Sequence, residues 1–203
     1  MARDFHTHNQ MPEIRALIST HLFIPGQLTS LEIHPWKLPG NFDPAILPGT
    51  EFAEKFSAIG EIGLDKLHGT DYDIQKKYFI ELLKIAADCR KPVVIHAVRS
   101  FQEIFSVLKS FAQLKVMFHG FRSSPEMVEE LWKRNITVSF HPQIINSPAL
   151  LTKLKNPAGA FGFESDNDRN ISVPQLLTGI KEISGINNIE KMTDQYFDDF
   201  LEI

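Results

Sequence analysis

The chain has 203 residues, 43% hydrophobic and 23% charged, with a formal net charge of −4. Those values describe a globular chain with a sizeable core, and the negative balance argues against a protein that coats nucleic acid through an electropositive surface. Cys89 is the only cysteine, which excludes an intrachain disulfide. No secretory signal precedes the first strand and no apolar run reaches membrane-spanning length, so the expectation is one domain over 1–203, cytoplasmic and without a membrane partner.

Ala2-Arg-Asp-Phe-His6-Thr-His8 reads as a short strand ending in two histidines. Thr7 separates them, so in extended chain both imidazoles point to one face. A second strand leads to Ile33-His34-Pro35-Trp36, and Ile59-Gly-Glu61-Ile-Gly-Leu64 is a strand ending in a carboxylate. Residues 74–90 carry Tyr78, Phe79, Leu82, Leu83 and Ala86 at helical spacing, which places Cys89 as a buried filler on the apolar side. Pro92 stops that helix, and Val93-Val94-Ile95 is an apolar strand ending at His96. A helix over 100–112 presents Phe101, Ile104, Phe105, Leu108 and Phe111. Val116-Met117-Phe118 then ends at His119. Ser124-Pro125 is an N-cap and first-turn pair for a helix with Val128, Leu131 and Trp132. The strand Ile136–Phe140, a short helix near 150–154, and the strand Ala160–Phe163 running into Glu164-Ser-Asp166 follow. Helices near 173–184 and 189–201 close the chain.

Apolar strands alternating with amphipathic helices specify an α/β fold with a parallel sheet covered by helices. A doubly wound sheet and a TIM-like β/α barrel compete. The polar residues at strand ends run from His6 to Asp166, and only a barrel brings so many strand ends to one mouth. Strands begin after residues 2, 30, 58, 92, 115, 135 and 159, which makes seven. A barrel normally has about eight, so one strand–helix unit between His8 and His34 reads as shortened or absent, with His21-Leu-Phe-Ile24 as its vestige. No nucleotide-binding glycine pattern is present; Gly60 and Gly63 flank Glu61 without one.

The strand-end residues are His6, His8, Glu61, His96, His119 and Asp166. Taken singly, such a histidine is more often a hydrogen-bonded loop residue, and such a carboxylate a helix cap. Six in strand order are enough for two divalent ions with open positions for water and substrate. A pair of ions would polarise an ester and generate hydroxide near neutral pH. Nitrogen and oxygen donors suit zinc or manganese, and magnesium if waters complete its shell.

Six segments carry a resemblance along the whole chain: Asp4-Phe-His6-Thr-His8, Ile33-His34-Pro35-Trp36, Gly60-Glu61-Ile-Gly-Leu-Asp65, Pro92-Val-Val-Ile-His96, Phe118-His119-Gly-Phe and Phe163-Glu164-Ser-Asp166. In that order they resemble the TatD-related metal-dependent hydrolases of the amidohydrolase-like superfamily. The resemblance implies a phosphodiesterase or deoxyribonuclease acting on nucleic acid or a nucleotide. It implies one ion on His6, His8, Glu61 and Asp166, and a second on Glu61, His96 and His119. Glu61 would bridge them, in the place where superfamily relatives often use a modified lysine. Asp166 and Glu61 would be the catalytic pair, Asp166 accepting a proton from the attacking water. Hydrolysis of a small amide, lactone or aminoacyl ester by the same site, and a metal-binding scaffold without turnover, are the alternatives.

His34, Asp65, Arg99 and Arg122 stand where they would contact substrate phosphates, the arginines as bidentate clamps. Asp4 points the same way as His6 and His8 and could hold a ligand imidazole. His141 ends its strand as a loop histidine, and His21 and His68 have no supporting context. Two departures from the family pattern stand out, the short first half and the absence of a proline in Asn167-Asp-Arg-Asn170.

Overall fold

The computed structural model describes residues 2–10 and 14–203. Its strands are β1 (Arg3–Thr7), β2 (Arg15–Thr20), β3 (Leu28–Leu31), β4 (Ala58–Asp65), β5 (Val93–Val98), β6 (Val116–Phe121), β7 (Thr137–Phe140) and β8 (Phe161–Phe163). Its α-helices are α1 (Thr50–Ala53), α2 (Tyr72–Asp88), α3 (Phe101–Leu108), α4 (Pro125–Lys133), α5 (Pro148–Lys153), α6 (Val173–Ser184) and α7 (Ile189–Leu201). The strands follow one another in the sheet in chain order. The chain divides into two compact units, 19–116 and 1–18 with 117–203.

The count of seven strands is corrected to eight. The additional strand is β2, whose Ala16, Leu17 and Ile18 are buried. The proposed vestige is loop instead, with Leu22 61% and Phe23 39% exposed. What the first half lacks is helices. Among the described residues none lies between β1 and β2 or between β2 and β3, and only one-turn pieces separate β3 from β4. Cys89 is also corrected. It caps the C-terminus of α2 and is half-buried, with its Sγ 3.6 Å from the Thr50 carbonyl.

In the unit 19–116, β3 pairs in parallel with β4, Ser30 opposite Ala58, and β4 with β5, Gly63 opposite His96. All eight residues of β4 are buried. The face of α2 marked by helical spacing is the buried one: Tyr78, Phe79, Leu82, Leu83 and Ala86. Asp71 caps the helix by accepting from the amides of Asp73 and Ile74. Each large apolar side chain buried here is worth about 1.5–3 kcal/mol. Gly63 has φ +152°, and a Cβ there would fall 2.0 Å from the His96 carbonyl oxygen. The strands bearing Glu61 and His96 can approach this closely only at glycine.

In the other unit, β6, β7 and β8 pair in parallel, as do β1 and β2. The last strand returns to the first: the Asp166 amide donates to the His6 carbonyl and the His8 amide to the Asp166 carbonyl, both at 3.0 Å. Phenylalanines fill the core. Phe5 meets Phe197 of α7 edge-on at 5.2 Å, and Phe140 lies 6.2 Å from Phe161. Phe5 sits over Gly162, where a Cβ would come within 2.3 Å of its ring. Arg3 fastens β1 to α7 through Asp194 and Asp198.

Candidate metal centre

His6, Glu61, His96 and His119 are each the fourth residue of their strand, in β1, β4, β5 and β6. The strands do not stop at these residues, as sequence reading expected: β4 runs on to Asp65, β5 to Val98 and β6 to Phe121. Position within the strand, not strand termination, is what they share.

Within 19–116, Glu61 is the centre of one group. Its Oε1 lies 2.9 Å from His34 Nε2 and 2.7 Å from His96 Nδ1. His34 Nδ1 accepts from the Trp36 amide, which leaves the His34 proton on Nε2 to donate to Glu61. Behind Glu61, its own amide donates to Ser19 Oγ at 3.2 Å. His96 Nε2 lies 3.2 Å from Asp65 Oδ2. Asp65 is buried with both oxygens engaged: Oδ1 accepts from the Leu67 and His68 amides, and Oδ2 from Trp36 Nε1 at 2.7 Å. Burial would raise this carboxyl, but the hydrogen bonds, led by that from Trp36, hold it below its ordinary value. His34, Glu61 and His96 each place one donor atom within 4.8 Å of the others, a set able to take a cation.

In the other unit, the seam between β1 and β8 builds a second group. His6 Nε2 stands 4.0 Å and His8 Nε2 3.7 Å from Asp166 Oδ1. Two donors each about 2 Å from one ion stand no more than about 4 Å apart, a limit that the His6–Asp166 and the His8–Asp166 pairs each meet. The His119 ring lies 4.2 Å from that of His6, and His6, His119 and Asp166 also place donors within 4.8 Å of one another. Asp166 is held at φ 52° in left-handed conformation, which aspartate tolerates better than most residues. The donor set fits a hard or borderline divalent metal.

Sequence reading gave no role to two supports of this group, Glu164 and Ser165. Glu164 is fully buried; its Oε1 lies 3.4 Å from His119 Nδ1 and accepts from the Gly120 amide at 2.8 Å. Burial pushes its carboxyl up, but the His119 charge and hydrogen bond outweigh it and hold it low. With Nδ1 so engaged, Nε2 of His119 is the nitrogen presented to a metal. Ser165 donates through Oγ to Asp4 Oδ2 at 2.6 Å and through its amide to Oδ1. Asp4 therefore clamps the β1–β8 seam, and burial pushes its carboxyl up to about 7. Asp4 accepts from Ser165 and the His6 amide, not from a ligand ring as sequence reading expected. In the Glu61 group, Trp36, partner of Asp65, likewise had no role from sequence. A carboxylate immediately after an apolar strand was the available signal for Glu164.

The four expected substrate contacts divide by accessibility. His34 and Asp65 are buried and committed to the Glu61 group, whereas Arg99 and Arg122 are exposed. Arg99 follows β5 at φ 53°. Arg122 lies near enough to His141 that, after burial, its charge is what most lowers the imidazole's pKa. His141 Nδ1 accepts from the Gln143 amide, capping the turn at 142–146 as His34 caps that at 35–37.

The fold agrees with that of known proteins. YJJV, a TatD homologue from Escherichia coli, superposes with a TM-score of 0.77 at 17% identity, covering 100% of this chain and 98% of its own, which shows a TIM-like β/α barrel fold. The metal-dependent hydrolase YabD of Bacillus subtilis is 31% identical over 119 residues, 57% of this chain and 44% of its own. Deoxyribonuclease Tat-D of Schizosaccharomyces pombe is 35% identical over 75 residues, 34% of this chain and 24% of its own. The chain spans less than half the length of the curated relatives it matches. The family model described as TatD related DNase matches residues 7–156, most of the chain, which therefore belongs to the TatD-related DNase family.

Proposed function

We propose that this chain is a divalent-metal-dependent phosphodiesterase acting on nucleic acid or a nucleotide. The observation that carries the reading is the aim of His6 Nε2 and His8 Nε2 at one oxygen of Asp166, with separations one ion can span. The deoxyribonuclease among its relatives supports the substrate class. In this reading His6, His8 and Asp166 would hold one ion, His96 and His119 would belong to a second, and Glu61 would serve both. Bound there, such ions would polarise the phosphate ester and lower the pKa of water. Asp166 would be the residue to take a proton from that water, since a ligand carboxylate lies within reach of it. Glu164 and Asp65 hold the rings of His119 and His96, fixing which nitrogen each presents. Arg99 and Arg122, both exposed, would clamp phosphate oxygens through their planar guanidinium groups.

Elemental analysis for zinc, manganese and magnesium, followed by assay against a generic phosphodiester and single-stranded DNA, tests this. Hydrolysis should vanish with chelator and return with manganese, magnesium or zinc. Full activity in chelator would discard the mechanism. Bound metal with no turnover of either substrate would mean a scaffold.

A further inference from the structure

Trp36 is 54% exposed, yet it is fixed at both ends. Its amide donates to His34 Nδ1 at 3.1 Å and its indole Nε1 to Asp65 Oδ2 at 2.7 Å. Its ring meets His34 and His96 edge-on, with centroids 4.8 and 5.6 Å away. On the solvent side His68 lies 5.4 Å from it, tilted by 52°. The loop bearing His68 is held by Gln75, which is buried. Gln75 Nε2 donates to the carbonyls of Asp65, His68 and Thr70, at 3.0, 3.2 and 2.8 Å, and its Oε1 accepts from the Asp65 amide. At Gly69, φ +91°, a Cβ would come 2.7 Å from the Pro35 carbonyl oxygen, so the loop passes directly against the turn that carries Trp36.

From this arrangement we infer that Trp36 and His68 form a stacking shelf for one nucleobase beside the Glu61–His96 group. An exposed indole normally loses rotamer freedom when a ligand lands on it; here the bond from Nε1 to Asp65 has already fixed the ring, on a backbone held by His34. Its one polar atom is satisfied by Asp65, so what remains for a ligand is an apolar, electron-rich face. A flat, weakly hydrated ring suits such a face, and every base offers one, so the shelf accepts any base and reads no sequence. The inference rests on the phosphodiesterase reading for the identity of the ligand, and binding without metal tests it separately.

The test uses a thymidine octamer and an octamer of the same length with abasic residues. Chelator-treated full chain is titrated with each, followed by tryptophan fluorescence; Trp132, the other tryptophan, is buried. The base-bearing strand should bind about tenfold tighter than the abasic one, the scale of one base–aromatic stack. That ratio should collapse toward one in Trp36→Ala, read by anisotropy of a labelled strand. It should recover largely in Trp36→Phe and fall two- to threefold in His68→Ala, which leaves the indole in place. Equal affinity of native protein for the two strands, or an unchanged ratio in Trp36→Ala, overturns the shelf. A native ratio that collapses in Trp36→Ala, with neither strand cleaved in manganese, supports the shelf and removes only the hydrolytic reading. Cleavage of both strands with no native difference in binding does the reverse.

Discussion

Within 19–116, Glu61 Oε1 lies at hydrogen-bond distance from His96 and His34, 2.7 and 2.9 Å. In the other unit Asp166 Oδ1 stands 3.7 and 4.0 Å from His8 and His6. The first group is closed on itself: protons hold the imidazoles to the carboxylate, and a cation entering there must replace them. The second is splayed, fixed less by contact between donors than by the backbone seam of β1 with β8. The two differ in what an absent metal costs. The closed group contributes to folding without an ion, whereas the splayed group gains most from one.

Removing Glu61 should have the largest effect. Glu61→Ala should abolish turnover and bound metal, because one residue is proposed to serve both ions. It should also cost about 1–3 kcal/mol in urea unfolding, since His34 and His96 lose their shared acceptor. Full stability in that variant would show that the closed group is not structural.

Asp166→Asn preserves shape and removes charge. Turnover should fall roughly 10²–10⁴-fold, the contribution of a positioned base, while metal content, by elemental analysis, drops only modestly. Near-normal turnover would reduce Asp166 to a residue of the turn. Glu164→Gln sharpens the comparison from behind the splayed group. An amide in place of the carboxylate loses the charge facing His119, so metal affinity should fall about 10–100-fold. Excess manganese should restore turnover, and failure to do so would place Glu164 in the chemistry itself. The smallest effect is expected from Gln75→Leu. It leaves the Asp65 amide and three carbonyls without their partner, at a cost of about 1–3 kcal/mol. Metal content should not change.

Much of this was legible because a parallel β/α chain repeats one message: an apolar run, then a polar residue at the mouth. That pattern exposed β4, β5, β6 and β8 and the residues they carry. It failed at β2 because only Ala16-Leu17-Ile18 is apolar there and no helix follows to complete the alternation. The exposed Leu22 and Phe23 were the more apolar-looking choice. It also failed for Glu164, Gln75 and Trp36, whose parts depend on partners distant in sequence. Gln75, on the buried face of α2, looks like a misplaced polar residue until the loop of Asp65 to Thr70 is folded over it. The partners of Asp65 and His34 were hidden for a related reason: nothing local announces that a strand-end carboxylate or imidazole already has one.

The pairing of Thr7 with Asp166 also bears on how the protein is made. Glu61, His34 and His96 are encoded in one continuous stretch, complete once residue 116 has left the ribosome. His6 and His8 emerge before that stretch, but the carboxylate they face is added about 160 residues after them. At synthesis speeds of about 5–20 residues per second, those two imidazoles wait on the order of ten seconds with no β8 to lie against. A message cut short between codons 116 and 166 therefore encodes every side chain of the closed group and lacks the carboxylate of the splayed one.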